Sequence, residues 1–465
     1  MMSEWHPDIA TIPGPRYRAI AEAIAQDIKA GRLSAGDRLP THRDLAYRLG
    51  VTVGTVTRAY AEAQRLGLLV GEVGRGSFIA QRAPADALYH APPERDGVVD
   101  MSLNYPPAEP LAETALRDSL ETLARRNDLA HLLPYGNFDG PQEVRQAVAA
   151  WLGRQHRFPA EADRLVLTSG GQHAISAAIA AVAEPGDVVL CGALTWTGIR
   201  AIAEMMRLQL RGLAMDGEGV LPEAFDVACR TLSPRALYLI PTLQNPTGTI
   251  MGEGRRAALA HIAERYGVPI VEDDIYGFLA PDAPAPIATR APEQVLYLTS
   301  LSKSLAPGLR IGCLAAPRRF QPRIMAAVRA TTWMVPPLMG EIAADWIASG
   351  VADSIAANRR QETARRQAIA RAVLGPLAGS ASPQAYHLWM KLPAPWRATD
   401  FVAEARQRGV LIAPTDVFAV GRRHEEEAVR ICLGSPASAE AVRQGLNVLR
   451  ELIPQAADTR YLAVV

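Results

Sequence analysis

The chain has 465 residues, 49% of them hydrophobic and 21% charged. That balance excludes disorder over most of its length and allows about three domains at roughly 150 residues each. The net charge of +1 hides a split, because residues 1–82 hold 11 Arg and Lys against 8 Asp and Glu, or +3, which leaves −2 on the remainder. A polyanion partner is therefore expected at one end only.

Residues 17–79 read as one unit. Ile20, Ile24 and Ile28 recur at helical spacing and Gly31 ends that helix. After the turn Gly36-Asp-Arg-Leu-Pro40, Thr41 is an N-cap with Asp44 three residues on; Leu45 and Leu49 stripe a second helix closed by Gly50. Thr52 can cap a third helix reaching Leu66, with Val56, Tyr60 and Ala63 inward and Gly67 at its end. Two short helices joined at a glycine corner are the skeleton of a helix-turn-helix. Residues 68–79 alternate around Val73-Gly-Arg-Gly76, a hairpin with a basic tip. Residues 81–99, rich in Ala, Pro and charge without a steady period, read as a linker.

Beyond the linker, strands alternate with helices. Strands are expected over 164–168, 187–191, 236–240, 268–272 and 295–299, with helices over 172–183 and 253–266. Such alternation implies a largely parallel, covered sheet. The last stretch is mixed, helical over 400–408 and extended over 427–433, which suits a smaller α+β part. No apolar run reaches the roughly 18 residues of a membrane span. The N-terminus carries Glu4 and Asp8 and no basic stretch followed by an apolar one, so no export signal is expected. Cys191, Cys229, Cys313 and Cys432 are scattered without CxxC or metal-ligand spacing. A cytoplasmic chain without a metal site is the expectation.

Only Lys29, Lys303 and Lys391 supply primary amines on side chains. Lys29 reads as a solvated helix charge and Lys391, after His387-Leu-Trp-Met390, as structural. Lys303 lies in Thr299-Ser-Leu-Ser-Lys-Ser-Leu-Ala-Pro-Gly-Leu-Arg310, just past a strand, with hydroxyls on both sides and an arginine seven residues on. A lysine so placed, ringed by anion-binding groups, suits a Schiff base with a phosphorylated aldehyde cofactor. Pyridoxal 5'-phosphate needs a carboxylate at its pyridine nitrogen. Glu272-Asp-Asp-Ile-Tyr276 offers one, Asp273 preferred, and Tyr276 can reach the ring's phenolic oxygen. Asn245, in Pro241-Thr-Leu-Gln-Asn-Pro-Thr-Gly248, can donate to that oxygen too. Ser169-Gly-Gly-Gln172, between a strand and a helix, can hold a phosphate on its backbone N–H groups. Trp196 offers a face for stacking. Each segment also has a plain reading: an acidic turn, a Pro/Gly turn, a Gly-Gly turn, a core tryptophan. Their common position, at the C-terminal ends of separate strands, is where open α/β sheets bind ligands.

The N-P-T-G, D-x-x-Y and S-x-S-K…R motifs, in this order, resemble those of the fold type I pyridoxal-phosphate aminotransferases, and the resemblance covers nearly all of residues 100–460. It implies Lys303 as the internal aldimine lysine, Asp273 as the partner of the pyridine nitrogen, and Asn245 and Tyr276 as phenolate ligands. It implies Gly170, Gly171, Gln172, Ser300, Ser302 and Arg310 as the phosphate cup, with Trp196 against the ring. Tyr135, in Leu133-Pro-Tyr-Gly136, resembles the tyrosine that reaches the neighbouring subunit's phosphate, and so implies a dimer. Arg430 resembles the arginine that forks onto a substrate α-carboxylate. Leu243, Gly171 and Trp196 depart from the commoner residues at their positions, which leaves specificity open.

The head resembles the winged helix-turn-helix of the GntR regulators. The resemblance is carried by Gly31-Arg-Leu-Ser-Ala-Gly-Asp-Arg-Leu-Pro-Thr-His-Arg-Asp-Leu-Ala46, Leu49-Gly-Val-Thr-Val-Gly-Thr-Val-Thr-Arg-Ala-Tyr60 and Gly74-Arg-Gly-Ser-Phe78. It implies DNA contacts by Arg38, Arg43, Thr52, Thr55, Arg58 and Arg75. Val53 stands where arginine is frequent.

The whole layout resembles the MocR regulators. The expectation is a multidomain chain: a mainly α winged helix-turn-helix over 1–80, a linker over 81–99, and an α/β fold type I aminotransferase-like domain over 100–465. The large part of that domain is placed at about 140–345 and the small α+β part at about 100–139 plus 346–465. The resemblance implies a cytoplasmic, head-to-tail, domain-swapped homodimer that binds operator DNA and senses an amine, an amino acid or pyridoxal 5'-phosphate itself. Two alternatives stay open: a working aminotransferase with a vestigial or dimerising head, and a regulator that binds no cofactor.

Overall fold

The computed structural model describes residues 5–7, 9, 12, 14–29, 32, 33, 37–65, 68–72, 76–79, 97–379, 382–421 and 426–454. Contacts divide the chain into two units, Met1–Ala87 and Leu88–Val465. Gly31, Leu66, Gly67, the hairpin tip with Arg75, most of the expected linker and the side chain of Lys29 lie outside the described residues.

In the first unit, helices Arg16–Lys29, His42–Leu49 and Val53–Arg65 precede a hairpin of Leu69–Glu72 and Gly76–Ile79. Its core comes from the stripe positions. Ile20, Ile24, Leu45, Val56, Tyr60 and Ala63 are all buried, because spacings of three and four place them on one helix face. The Thr41 hydroxyl accepts the Asp44 N–H, and Gly50 closes the same helix at φ 61, a left-handed conformation that favours glycine. Thr52 holds the start of the third helix by accepting the Thr55 N–H at 3.2 Å. The Tyr60 hydroxyl donates to the Pro40 carbonyl at 2.8 Å and ties that helix to the preceding corner. Residues 37–39 lengthen the wing: Leu39 N–H donates to Ser77 O at 2.9 Å and Ile79 N–H to Asp37 O at 2.8 Å.

In the second unit, a seven-stranded sheet runs in the order Leu165–Thr168, Gly312–Ala315, Val295–Ser300, Ile270–Asp273, Ala236–Leu239, Val188–Gly192, Gln209–Leu213. Gly312–Ala315 alone is antiparallel to its neighbours. Strands Leu165–Thr168, Ala236–Leu239, Ile270–Asp273 and Val295–Ser300 are buried at every position, the pattern of a sheet covered on both faces. The helices around it include Gly171–Val182, Glu253–Tyr266 and Pro337–Ala348.

A second core lies under a small antiparallel sheet of His387–Lys391, Ala428–Cys432 and Ala413–Pro414. Met390, Phe401, Ile431, Leu446 and Leu449 pack there. The chain enters this core through Val99–Asp100, which pairs in parallel with Val410–Leu411. Val99, the last residue of the expected linker, is therefore already strand. Among the described residues no helix is long and apolar enough to cross a membrane, and no group of His, Cys, Asp and Glu could hold a metal ion.

Candidate functional site

The parallel strands deliver their polar residues to one place. Asp273 ends strand Ile270–Asp273, Ser300 ends Val295–Ser300, and Asn245 follows Ala236–Leu239 by a short turn. With Gly171, Gln172, Trp196, Tyr276, Ser302, Lys303, Arg310 and Arg430 they line a cavity of about 290 Å³.

One end of the cavity is an anion cup. Helix Gly171–Val182 starts there with no side-chain cap on its N-terminal N–H groups, so they remain available to an anion. Gly170 precedes it at φ 88. A Cβ at that position would come within 2.6 Å of the Arg310 guanidinium, which donates to Ser169 O at 2.9 Å. Only glycine lets the backbone and the arginine approach so closely. Ser300 caps the short helix Leu301–Ser304. The buried Ser302 Oγ has no hydrogen-bond partner among the described residues.

The middle of the cavity holds a carboxylate and an amine. Asp273 is buried; its Oδ2 accepts from the Tyr238 hydroxyl at 2.7 Å and its Oδ1 from the Ile275 N–H at 3.2 Å. Burial pushes its carboxyl up to about 7 against these donors. Lys303 Nζ donates to Asn104 O at 2.5 Å and lies 5.6 Å from the centre of the Tyr105 ring. Burial, joined by the charges of Arg430, Arg359 and Arg310, pushes its ammonium down to about 8. Two backbone contacts fix the loop that carries it: the Tyr386 hydroxyl donates to Lys303 O at 2.9 Å, and buried Arg359 bonds both Leu305 O and Pro107 O.

The far end is set by Arg430 on strand Ala428–Cys432. It donates to Asn245 Oδ1 at 2.9 Å and to Ser102 O at 2.5 Å, and it lies 4.6 Å from the Phe418 ring centre. Tyr135 stands apart: it is 81% exposed, does not line the cavity, and packs 5.4 Å from Trp333.

Sequence reasoning missed Ser102, Leu103, Asn104 and Tyr105, which cover the cavity just after the linker. The only local signal was an asparagine before Tyr-Pro-Pro. It also missed Tyr238 under Asp273 and His387 beside Asn104.

In the first unit, Arg38, Arg43, Thr52 and Arg58 are exposed and Thr55 is half-buried. The Thr52 and Thr55 hydroxyls lie 2.9 Å apart at the start of the third helix. The Arg58 guanidinium sits 4.5 Å from the centre of the Tyr17 ring.

Residues 97–449 match the family Aminotransferase class I and II, and residues 16–79 match Bacterial regulatory proteins, gntR family. The uncharacterized HTH-type transcriptional regulator YdeF of Bacillus subtilis is 30% identical over 97% of this chain and 96% of its own length. The vitamin B6 salvage pathway transcriptional repressor PtsJ of Salmonella typhimurium is 26% identical over 88% of this chain and 92% of its own. An archaeal alanine:glyoxylate aminotransferase superposes with a TM-score of 0.71 at 22% identity, over 80% of this chain and 93% of that structure. LysN, the α-aminoadipate aminotransferase of Thermus thermophilus, gives 0.70 at 22%, over 81% and 96%. The structural likenesses speak for the fold, the curated relatives for the layout. The chain belongs to the MocR-type family of HTH-type transcriptional regulators, in which a GntR head precedes a class I and II aminotransferase domain.

Proposed function

We propose that the chain is a cofactor-dependent transcriptional regulator. Its head (1–80) would bind operator DNA, and its body (100–465) would hold pyridoxal 5'-phosphate and respond to an amine or amino acid at Lys303. The observation that carries this reading is the lining of one cavity by an anion cup, a buried carboxylate and an amine, in a chain whose relatives over 97% of its length include a regulator.

The residues fit that cofactor. The unpartnered Ser302 Oγ and the glycine-lined cup with Arg310 suit a phosphate. Asp273, raised by burial, gains by facing a ring N–H. When bound, the cofactor supplies an aldehyde carbon open to amines and a ring that withdraws electrons. Lys303, lowered toward neutrality, holds a larger share of unprotonated amine at physiological pH than an ordinary lysine does. Arg430 is the one cavity cation beyond the cup and Lys303 among the described residues; to fork onto a carboxylate it exchanges its bonds to Asn245 and Ser102. An effector then shifts the protein only as far as it binds two states unequally. Leu133 and Tyr135, 85% and 81% exposed, favour a second copy covering that face, with Tyr135 reaching its phosphate site.

The test is DNA binding to the chain's own upstream region, with and without pyridoxal 5'-phosphate and a panel of amino acids. Arg430→Ala is expected to keep the bound cofactor's absorbance and lose the effector's influence on DNA affinity. An unchanged effector response in that variant overturns the sensor role. The intact set Lys303, Asp273 and Arg430 also suits a working aminotransferase. Steady turnover of an amino donor with a 2-oxo acid, without salt-dependent sequence-selective DNA binding, would favour that reading.

A further inference from the structure

We propose that Asn104 is a positioning residue: it fixes the direction of the Tyr276 hydroxyl, so that the phenol offers the cavity only its proton. The inference rests on the cofactor reading above and goes beyond it.

The hydrogens available to this cluster fix the direction of each of its bonds. His387 is buried, with Nε2 3.1 Å from the Gln244 carbonyl oxygen. A carbonyl can only accept, so Nε2 carries the proton and Nδ1 is a bare acceptor. Burial, with Arg430 and Lys303 nearby, keeps this imidazole neutral by pushing its pKa down to about 3. Asn104 Nδ2 lies 3.2 Å from that Nδ1 and 2.8 Å from the Tyr276 hydroxyl. An amide turned the other way would set Oδ1 against the imidazole lone pair, so the network itself decides the orientation. Both amide hydrogens are then engaged, one on His387 and one on Tyr276.

Tyr276 therefore accepts from Asn104, and its own hydrogen has no taker among the described residues. Burial holds this phenol protonated, well above its usual range. Asn245 is wired in the same sense, since its Oδ1 already accepts from Arg430 and only its NH2 is left to give. A ring oxygen that meets Tyr276 and Asn245 meets two donors and no acceptor. Such a place favours an oxygen that has lost its own hydrogen.

The test compares pyridoxal 5'-phosphate with its 3-deoxy analogue, which keeps the phosphate and the aldehyde but lacks the ring oxygen. Dissociation constants are measured on the cofactor-free full chain by absorbance titration. The wild type is expected to prefer pyridoxal 5'-phosphate. In Asn104→Asp the carboxylate can only accept, so the Tyr276 proton turns to it, and the preference should fall about tenfold, the worth of one hydrogen bond to a charged oxygen. Affinity for the analogue should stay within about threefold, because a merely structural loss would weaken both probes alike. Asn104→Ala, which leaves the hydroxyl unset, should lower the preference by about threefold, and it decides the matter if the Asp variant does not fold. A preference kept by the variants overturns the role of Asn104 and leaves the cofactor reading standing. A wild type that binds neither probe overturns both.

Discussion

Replacing Lys303 by Met should stabilise the cofactor-free protein at neutral pH, and by an amount that depends on pH in a defined way. The folded state lowers the ammonium from 10.5 to about 8. At about 1.4 kcal/mol per pH unit, holding that charge in the cavity costs about 3 kcal/mol at pH 7. The cost is fully present below pH 8, where the folded chain must keep the charge. It fades as pH rises toward 10.5, where the unfolded chain loses its proton too, and is about 1 kcal/mol at pH 10. Methionine fills a similar volume without the charge. It also gives up the bond to Asn104 O, worth about 1 kcal/mol. The variant should therefore exceed the wild type by about 2 kcal/mol at pH 7 and match it near pH 10. Urea unfolding followed by tryptophan fluorescence suits the measurement, because six of the seven tryptophans lie in the second unit. The two proteins must be compared at one concentration if they associate. A stability difference that stays constant from pH 7 to pH 10 would refute the idea that this amine is held against its charge.

Other consequences can be measured separately. Gly170→Ala places a Cβ 2.6 Å from Arg310 at φ 88; the stability of the cofactor-free chain should fall by about 1–3 kcal/mol in urea unfolding, the strain of a side chain held at that φ. Tyr238→Phe removes the 2.7 Å donor to Asp273. Its carboxyl should rise further and cofactor affinity should fall about tenfold, with DNA binding by the cofactor-free chain unaltered. Arg43→Ala should weaken binding to all DNA sequences alike and lower the slope of log affinity against log salt by about 1, as loss of one phosphate contact does.

Much of the molecule was legible because the signals were periodic or chemically unusual. Ile20, Ile24, Val56 and Tyr60 mark the head core by spacing alone, and the alternation of strands and helices in the body announces a covered sheet. Strand Gln209–Leu213 escaped notice because it is an edge strand with exposed Gln209, Arg211 and Gly212 and no apolar run. Gly312–Ala315 is four residues long and opens on glycine. At the site, residues next to a strand end could be picked out by their company, as Lys303 and Asp273 were. Asn104, Tyr238 and His387 could not, because their importance lies in what long-range folding sets beside them. Asn104 meets His387 across 283 positions of sequence.

The short pairing of Val99–Asp100 with Val410–Leu411 has an evolutionary corollary. Every residue lining the cavity stands at Ser102 or later, and the chain is stitched into the body before it reaches any of them. A recombination point upstream of that stitch could exchange one head for another and leave every wall of the cavity intact.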